Sequence, residues 1–539
     1  MARTKFNFDQ IDSHHNTVSE MIADTTLRVG DTVRTPGYTS VGDGGGNTYQ
    51  IVAAGTGTED GGEYIDLSTH QAKGLFPGVM NVKQWGAVGD YVADDTAAIQ
   101  AAVTYGVDND VATFIPSGDY LITSSITASG NDVTIIGECM ETTALQCSTA
   151  LTGVAIDINS AGLTRYNRGK ISDLKIVGTR TGAGNWYDYT HYTTHGIRVN
   201  ETINGFLIER VRVVRTLTAG IELTGNTWFN TIRDCFVEEC IGKGYVLGTN
   251  SNGVHVDACR AYRCTEGMDV NGCFGLNLSG IGLEDTLSWA LRIRGESVVN
   301  VIGTWFEDHG MVTTTEGAIY VTGVTGDTTR PTQLNVTGCF FSAPGGYVVK
   351  GANAKILVAG CRDYGTDNIY DLDADCGLDD ADTNFWNTTG TLYGGAGGTD
   401  VVYNCEGTWT PVVADAYTGG NTGTFDANAT SQKWFKRGNL VTVIGRIENI
   451  DTTGMTAGNA ICIQGLPFSF ASTDYSTGTV QTNGVTVSGT HLVAVTNPST
   501  TDTTIFFYDV NNAGNRSSLK VSDISGATDD MFFQITYSI

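Results

Sequence analysis

A six-residue phrase recurs through the middle of this chain and constrains what the chain can become. It reads Ile208-Glu209-Arg210-Val211-Arg212-Val213, then Ile232-Arg233-Asp234-Cys235-Phe236-Val237, and returns at Val256, Leu278, Val301, Val336 and Val358. Successive starts are separated by 24, 24, 22, 23, 35 and 22 residues. A second phrase keeps step with it, as in Gly220-Ile221-Glu222-Leu223-Thr224-Gly225 and Gly267-Met268-Asp269-Val270-Asn271-Gly272. A period of about 20–50 residues marks a solenoid. Each unit alternates apolar and polar residues at the strand period of two, breaks at glycine, and shows no helical period. The implied class is all-β: a parallel β-helix over residues 79–363, in which each coil pairs its strands with the coils before and after it.

In such a stack, residues at one phrase position lie above one another at the inter-strand spacing of about 4.8 Å. The fourth position holds Cys235, Cys259, Cys339 and Cys361 alongside Leu174, Val211 and Ile281. That makes it an inward, apolar position, where a free thiol acts as a small hydrophobe. No paired cysteine spacing of the zinc type occurs, so no metal and no cofactor is expected.

Positions seven and eight hold Val214-Arg215, Glu238-Glu239, Tyr262-Arg263, Glu284-Asp285 and Glu307-Asp308. They predict an acidic ladder along one corner. Carboxyl groups one or two rungs apart suit the separations of about 5–5.5 Å and about 6.5–9.5 Å used by retaining and inverting glycosidases. Stacked like charges raise one pKa, which separates an acid from its partner base or nucleophile. Glu238, Glu239, Glu284, Asp285, Glu307 and Asp308 are therefore the catalytic candidates, with Arg215, Tyr262 and Arg263 as substrate-binding neighbours. Asp234, Asp257 and Asp269 are further acids. Leu283 and Phe306 should point inward and fix the strands. The bland reading of the same ladder is a solvated acidic face. A lyase would instead draw a base and a neutralising cation from Tyr262, Arg263, His255 and His309.

The coils are interrupted between Ile176 and Gly196 by a polar stretch carrying Trp186, Tyr187, Tyr189 and Tyr192. Long loops of a solenoid project from one face and often build its binding site. These aromatics are candidates for stacking on sugar rings, or equally for packing against another copy of the chain.

Composition narrows the partners. A formal net charge of −27 disfavours nucleic acid and anionic membrane surfaces. No apolar run approaches the roughly 20 residues of a membrane span, and residues 1–5 lack a signal-peptide core. Synthesis in a cytoplasm without an export signal is the expectation.

The flanks read differently. Residues 1–27 are polar, with a short helical turn predicted at Val18–Ala23 capped by Thr17 or Ser19, ordering against a partner. Residues 28–78 alternate as short strands. Residues 94–104 read as a helix begun by Asp94 or Asp95 and filled by Ala97, Ala98, Ile99, Ala101 and Ala102, suited to covering the open end of the solenoid. After about Asp363 the phrase fades, and 364–404 reads as a linker or junction. From about 405 to 539, six or so antiparallel strands suggest a β-sandwich.

Two stretches carry a resemblance. Asn81-Val82-Lys83-Gln84-Trp85-Gly86-Ala87-Val88-Gly89-Asp90, followed by Asp94-Asp95-Thr96-Ala97-Ala98-Ile99-Gln100-Ala101-Ala102 and by Ile115-Pro116-Ser117-Gly118-Asp119-Tyr120, resembles the start of the β-helix in pectate-lyase-like tailspikes of tailed bacteriophages. Tyr91 departs from it, standing where that family has glycine. Gly30-Asp31-Thr32-Val33-Arg34-Thr35 to Gly44-Gly45-Gly46-Asn47-Thr48-Tyr49 is similar to a tailspike attachment module. Together these cover roughly residues 1–125. The resemblance implies a right-handed β-helix in a homotrimer, located on the virion. It also implies attachment to a phage tail, baseplate or adaptor protein through residues 1–27, and binding or cleavage of a host bacterial surface polysaccharide. The leading activity is endo-hydrolysis by paired carboxylates. The rivals are a lyase, a glycan-binding adhesin without catalysis, and a purely structural tail fibre. The C-terminal block fits trimer clamping or glycan binding.

Overall fold

A computed structural model describes residues 13–130, 132–160, 168–201, 205–310, 316–324, 332–344, 347–363, 368–372, 377–380, 393–394, 404–415, 420–427, 432–437, 440–470, 475–496, 504–511, 515–524 and 528–539. The chain forms two compact units that divide between residues 376 and 398. The junction expected at 364–404 lies largely outside the described residues.

The phrase folds as its period dictates. Thirty strands form one hydrogen-bonded sheet, with neighbouring coils of the stack paired in parallel. Each coil contributes three faces. The first includes Thr231–Arg233, His255–Asp257, Leu276–Ser279 and Val298–Ile302. The second includes Gly282–Glu284, Trp305–His309 and Phe340–Pro344. The third includes Ala219–Thr224, Leu291–Arg294 and Ile319–Thr322. Strands Phe236–Leu247 and Arg260–Asn271 run unbroken from the second face into the third. Inward positions are filled in register: Val213, Val237, Ala261, Leu283, Phe306 and Phe341 form one buried column. Cys235, Cys259, Cys339 and Cys361 are buried free thiols. A second buried pair, Cys240 opposite Cys264, lies just past the acidic corner and was not anticipated.

Corners between faces are made by single residues in the left-handed region. Between the first and second faces these are Asp234, Ala258, Gly280, Gly303, Gly338 and Gly360, with φ between 50° and 63°. Side chains strain this conformation by about 1–2 kcal/mol, and glycine does not. At Gly280 an added Cβ would meet nothing within 4 Å. The cost of Gly280→Ala is therefore purely conformational, about 1 kcal/mol. Ala258→Gly is expected to stabilise by a similar amount. Opposite shifts of the urea midpoint in the two variants would check this; shifts of the same sign would refute it.

On the first face Glu209 is nearly buried beside Lys170 at 2.6 Å, Arg210 at 3.0 Å and Arg233. Burial pushes its carboxyl up, but these hydrogen bonds outweigh that and hold it at about 2. A depressed folded pKa contributes stability that is complete above the unfolded value of about 4.3 and disappears as pH falls through about 2. Glu209→Gln is expected to be less stable than the native chain at pH 7, the gap closing over that window in acid denaturation.

A helix packs on the first coil. Helix Thr96–Asn109 buries Ile99, Ala102, Val103 and Gly106. Gly106 lies so close that a Cβ would stand 2.7 Å from Met80 and from Thr113 of that coil. Asp94 accepts from Thr96 N at 3.0 Å. Asp95, at the N-cap position, turns instead to Val88 N and Gly89 N at 2.6 and 3.1 Å and pins the preceding glycine turn.

Residues 13–75 build a five-stranded sheet. Thr17 caps helix Val18–Ala23 by accepting from Glu20 N at 3.2 Å. This segment was expected to order against a partner. It orders against the chain itself, because Val18 and Met21 are buried with Leu27, Val33, Tyr49 and Ile51 in one core. Residues 1–12 lie outside the described residues.

The C-terminal unit is an antiparallel sheet of eleven strands around one core that includes Val443, Ile463, Ile505, Phe507 and Phe533. More strands are present than the six expected. The hydrogen-bonded path through them is continuous, with short edge strands Thr424–Ala427 and Arg516–Ser518 paired onto it.

Candidate active site on the second face

The acidic ladder forms in the predicted register. Val214, Glu238, Tyr262, Glu284, Glu307 and Ser342 follow one another up the second face. Arg215, Glu239, Arg263, Asp285 and Asp308 occupy the adjoining corner, each in the left-handed region with φ between 51° and 66°. The left-handed kink turns this side chain away from the strand's normal alternation, so consecutive residues such as Glu307 and Asp308 serve the same edge.

A further column lies on this face, two residues earlier in each strand, and the sequence reading overlooked it. It reads Arg212, Phe236, Arg260, Gly282, Trp305, Phe340 and Arg362. Residues two apart in a strand share a face, so the logic that stacked positions seven and eight would also have found position five. Arg212 and Arg260 lie 5.3 and 5.2 Å from the Phe236 ring, and Arg260 also lies 5.2 Å from Tyr262. Trp305 and Phe340 stack at 5.8 Å with 28° between their planes, both partly exposed. The face alternates aromatic surface with charge, a combination that suits sugar rings and their hydroxyls.

Charge is distributed unevenly along it. Glu238 is held by Arg212, which also reaches Glu141 at 3.1 Å. Glu239 is held by Arg215 at 3.2 Å and Arg180 at 2.7 Å. Glu284 is paired with Arg260, and Asp285 faces Arg263 at 3.5 Å. Among the described residues, Glu307 and Asp308 have no arginine or lysine partner. Glu307 accepts instead from the Trp305 indole Nε1 at 2.8 Å. The protein packed around Asp308, and then the charges of Asp285 and Glu307, hold its carboxyl above the usual carboxylate range. This end of the ladder thus holds one carboxyl, Asp308, whose pKa is raised beside two further carboxylates.

The aromatic loop reaches the other end. Arg180–Thr181 and Thr190–His191 pair as a two-stranded hairpin. Arg180 ties it to the ladder through Glu239 and packs 4.0 Å from the Tyr189 ring. Tyr192 contacts Thr181 through its hydroxyl at 3.1 Å. Trp186 and Tyr187 meet edge to face at 5.5 Å, with Tyr187 exposed. The structure so brings Arg215 and the loop aromatics to one corner around Glu239, with Tyr262 and Arg263 two coils on from Arg215.

Other candidates are dispersed. Asp257 lies on the first face, Asp234 at its corner, and Asp269 is buried on the third face between Lys243 and Arg294. Of the lyase candidates, Tyr262 and Arg263 lie together, 4.8 Å from ring to guanidinium, but the two histidines do not join them. His255 belongs to the first face. His309 is fully buried, pushed down to about 3 by that burial, with Nδ1 2.9 Å from Thr286 Oγ1. Burial and then Asp285 raise the Tyr262 phenol, the wrong direction for a base. Among the described residues no group of His, Cys, Asp and Glu is arranged to hold a metal, and no helix is long and apolar enough to cross a membrane.

Two hollows lie elsewhere. One of about 580 Å³ in the C-terminal unit is lined by Lys433, Arg446, Gln481 and Phe532, and one of about 460 Å³ beside the capping helix by Gln100, Asp108 and Asp157. Asp157 in the latter is neutralised by Arg198 at 2.6 Å. The second face is open rather than enclosed, a shape that admits a long polymer at any point along its length.

Residues 79–170 match the family of rhamnogalacturonase A/epimerase, pectate lyase-like domains. No curated protein matches the chain by sequence. Among solved structures, the enzymatically active domain of tailspike protein 2 from bacteriophage CBA120 is similar at a TM-score of 0.59 and 14% identity, covering 97% of this chain and 88% of that one. The full-length tailspike protein 2 from an Escherichia coli O157:H7 bacteriophage gives 0.58 and 14%, covering 97% and 79%. The gp42 tailspike of Acinetobacter phage vb_AbaP_AS12 gives 0.53 and 11%, covering 85% and 92%. The chain thus carries a pectate-lyase-like domain at residues 79–170 and is built on the parallel β-helix fold of phage tailspike proteins.

Proposed function

We propose that this chain is a tailspike depolymerase, a virion protein that binds a host bacterial surface polysaccharide and cleaves it by glycoside hydrolysis on the second face. The observation that carries the reading is the upper end of the ladder, where Asp308 is held above the usual carboxylate range beside Glu307 and Asp285. Asp308 acts as general acid, giving its proton to the glycosidic oxygen as the bond to the anomeric carbon breaks. Glu307, oriented by the Trp305 indole, acts beside it as base toward water or as nucleophile. Glu284 and Asp285 add negative charge that favours a developing oxocarbenium ion. Hydrolysis is preferred to elimination because a lyase must neutralise a uronate carboxylate, and Arg212, Arg215, Arg260 and Arg263 along the ladder are already engaged by carboxylates.

The tailspike fold supports a homotrimer attached through its N-terminal residues to a phage tail, baseplate or adaptor protein. The loop aromatics Trp186, Tyr187, Tyr189 and Tyr192, with Arg215, Tyr262 and Arg263, extend the glycan contact away from the cut.

The test is incubation of the full chain with surface polysaccharides of candidate hosts, reading product length and ultraviolet absorbance of unsaturated uronates. Shortened chains without that absorbance are expected. Shortening with it would replace hydrolysis by elimination, and binding without shortening would leave an adhesin.

A further inference from the structure

The larger hollow lies where the C-terminal sheet departs from strand alternation. Antiparallel sheets turn apolar residues inward and polar residues outward, and strand Leu440–Asp451 does so through buried Val441, Val443 and Ile447. Ile444 nevertheless stands on the outward side, as does Phe532 of strand Asp530–Ser538, and both are partly exposed. Cross-strand register places them in two adjacent rows. Lys433, Ile444, Gln534 and Thr479 pair across four strands in one row. Arg446, Phe532 and Gln481 pair in the next, two residues along and so roughly 7 Å away. These side chains surround a space of about 580 Å³, which falls within the roughly 300–1,000 Å³ of small-ligand sites.

Its lining is positive in a chain whose formal net charge is −27. None of the described residues that line it is acidic. Lys170, Lys175 and Lys243 of the β-helix are each paired with a carboxylate. Lys433 is exposed and meets none among the described residues. Arg446 packs over the Phe532 ring at 5.3 Å. Glu448 accepts from Arg446 Nε at 2.8 Å and from Nη2, and Nη1 has no hydrogen-bond partner among the described residues. Lys433 and Arg446 are diagonal neighbours on paired strands, about 7–8 Å apart, a gap that long side chains close. An aromatic and aliphatic floor suits the C–H face of a sugar ring. The amides of Gln481 and Gln534 and the Thr479 hydroxyl suit its hydroxyls, and the two cations suit one carboxylate. We propose that this hollow binds a uronic acid residue of the host polysaccharide, with its ring on Phe532 and Ile444 and its carboxylate toward Lys433 and Arg446. That the ligand is a sugar rests on the polysaccharide reading above; that it is anionic rests on the hollow itself, to which no cleavage is assigned.

The test presents the full chain with an array of short uronide and neutral oligosaccharides, and titrates those it retains at low and high salt. Uronides are expected to be retained, and salt to weaken them. Lys433→Gln should bind them about 10-fold more weakly, the effect of losing one hydrogen bond to a charged group, and Lys433→Arg should bind like the parent. Both should melt with the parent, because Lys433 is exposed. Phe532→Ala should lose binding comparably. Retention of neutral oligosaccharides alone, or of none, overturns the site. So does uronide binding that Lys433→Gln and Phe532→Ala leave intact. If Lys433→Glu lowers the sedimenting mass, the face is a contact between copies of the chain and the site is again overturned. A parent that shortens a host polysaccharide while both variants still bind uronides keeps the hydrolase reading and loses the hollow. A parent that shortens none, but retains uronides in a Lys433-dependent way, keeps the hollow and loses the hydrolase reading.

Discussion

Asp308→Asn is expected to lose about 10³-fold of polysaccharide cleavage and, at pH 7, to be slightly more stable than the parent chain. Loss of activity follows from removal of the proton donor. The gain in stability follows from the direction of the pKa shift. Burial and the charges of Asp285 and Glu307 raise the folded-state pKa of Asp308. Between the unfolded value of about 3.9 and that raised value, the folded state binds more protons than the unfolded state. Stability therefore falls as pH rises through the window and stays reduced above it. Asparagine removes this penalty at neutral pH and confers nothing below about pH 3.9, where both forms are uncharged. The gain is small, because Asp308 faces solvent. Activity of the parent chain should decline on the alkaline side as Asp308 ionises. Melting temperatures at pH 3 and pH 7, paired with product sizing, check both halves. An active variant, or one less stable at pH 7, would remove Asp308 from the proposed role. Glu307→Gln should lose activity comparably, while Glu284→Gln should lose less, since Arg260 already absorbs much of its charge.

Phe306→Ala is expected to destabilise the β-helix by about 3–5 kcal/mol. The ring is fully buried between Leu283 and Phe341 and stacks on Phe341 at 4.8 Å with 11° between planes. It precedes Glu307 and Asp308 in the same strand, so the cavity also loosens the backbone that carries the proposed acid and base. Urea unfolding measures the loss, and hydrogen exchange should place the earliest opening between residues 278 and 341. Ile302→Ala is the control: Ile302 points outward and is 48% exposed, and its loss should cost about 0.5 kcal/mol or less. Equal effects of the two substitutions would refute this assignment of the core.

Much of this architecture was legible because a solenoid repeats its own environment. Aligning Ile208 with Ile232 and Val256 determined the in-register pairing, and with it the stacking of Glu284 on Glu307 and the inward place of Phe306. The same alignment held the position-five column, but Trp305 and Phe340 look like ordinary strand residues until the neighbouring column gives them chemistry. The anchoring of the aromatic loop depends on Arg180 reaching Glu239 across 59 positions, a contact that no local pattern encodes. Helix Val18–Ala23 was found, but not its place, because Val18 and Met21 reveal their partner surface only once strands from Val33 to Ala72 have paired. Edge strands of the C-terminal unit escaped notice because three or four residues carry too little alternation to register.

Ten cysteines, from Cys139 to Cys361 together with Cys462, are free thiols, and of these ten only Cys139 is exposed. This gives the molecule a set of internal clocks. Among these ten, a thiol reagent added to the native protein marks Cys139 first. Cys147, Cys235, Cys259, Cys339 and Cys361 become reactive only as the coils that shelter them part, so the order of labelling records the order in which the stack comes undone, without introduced probes.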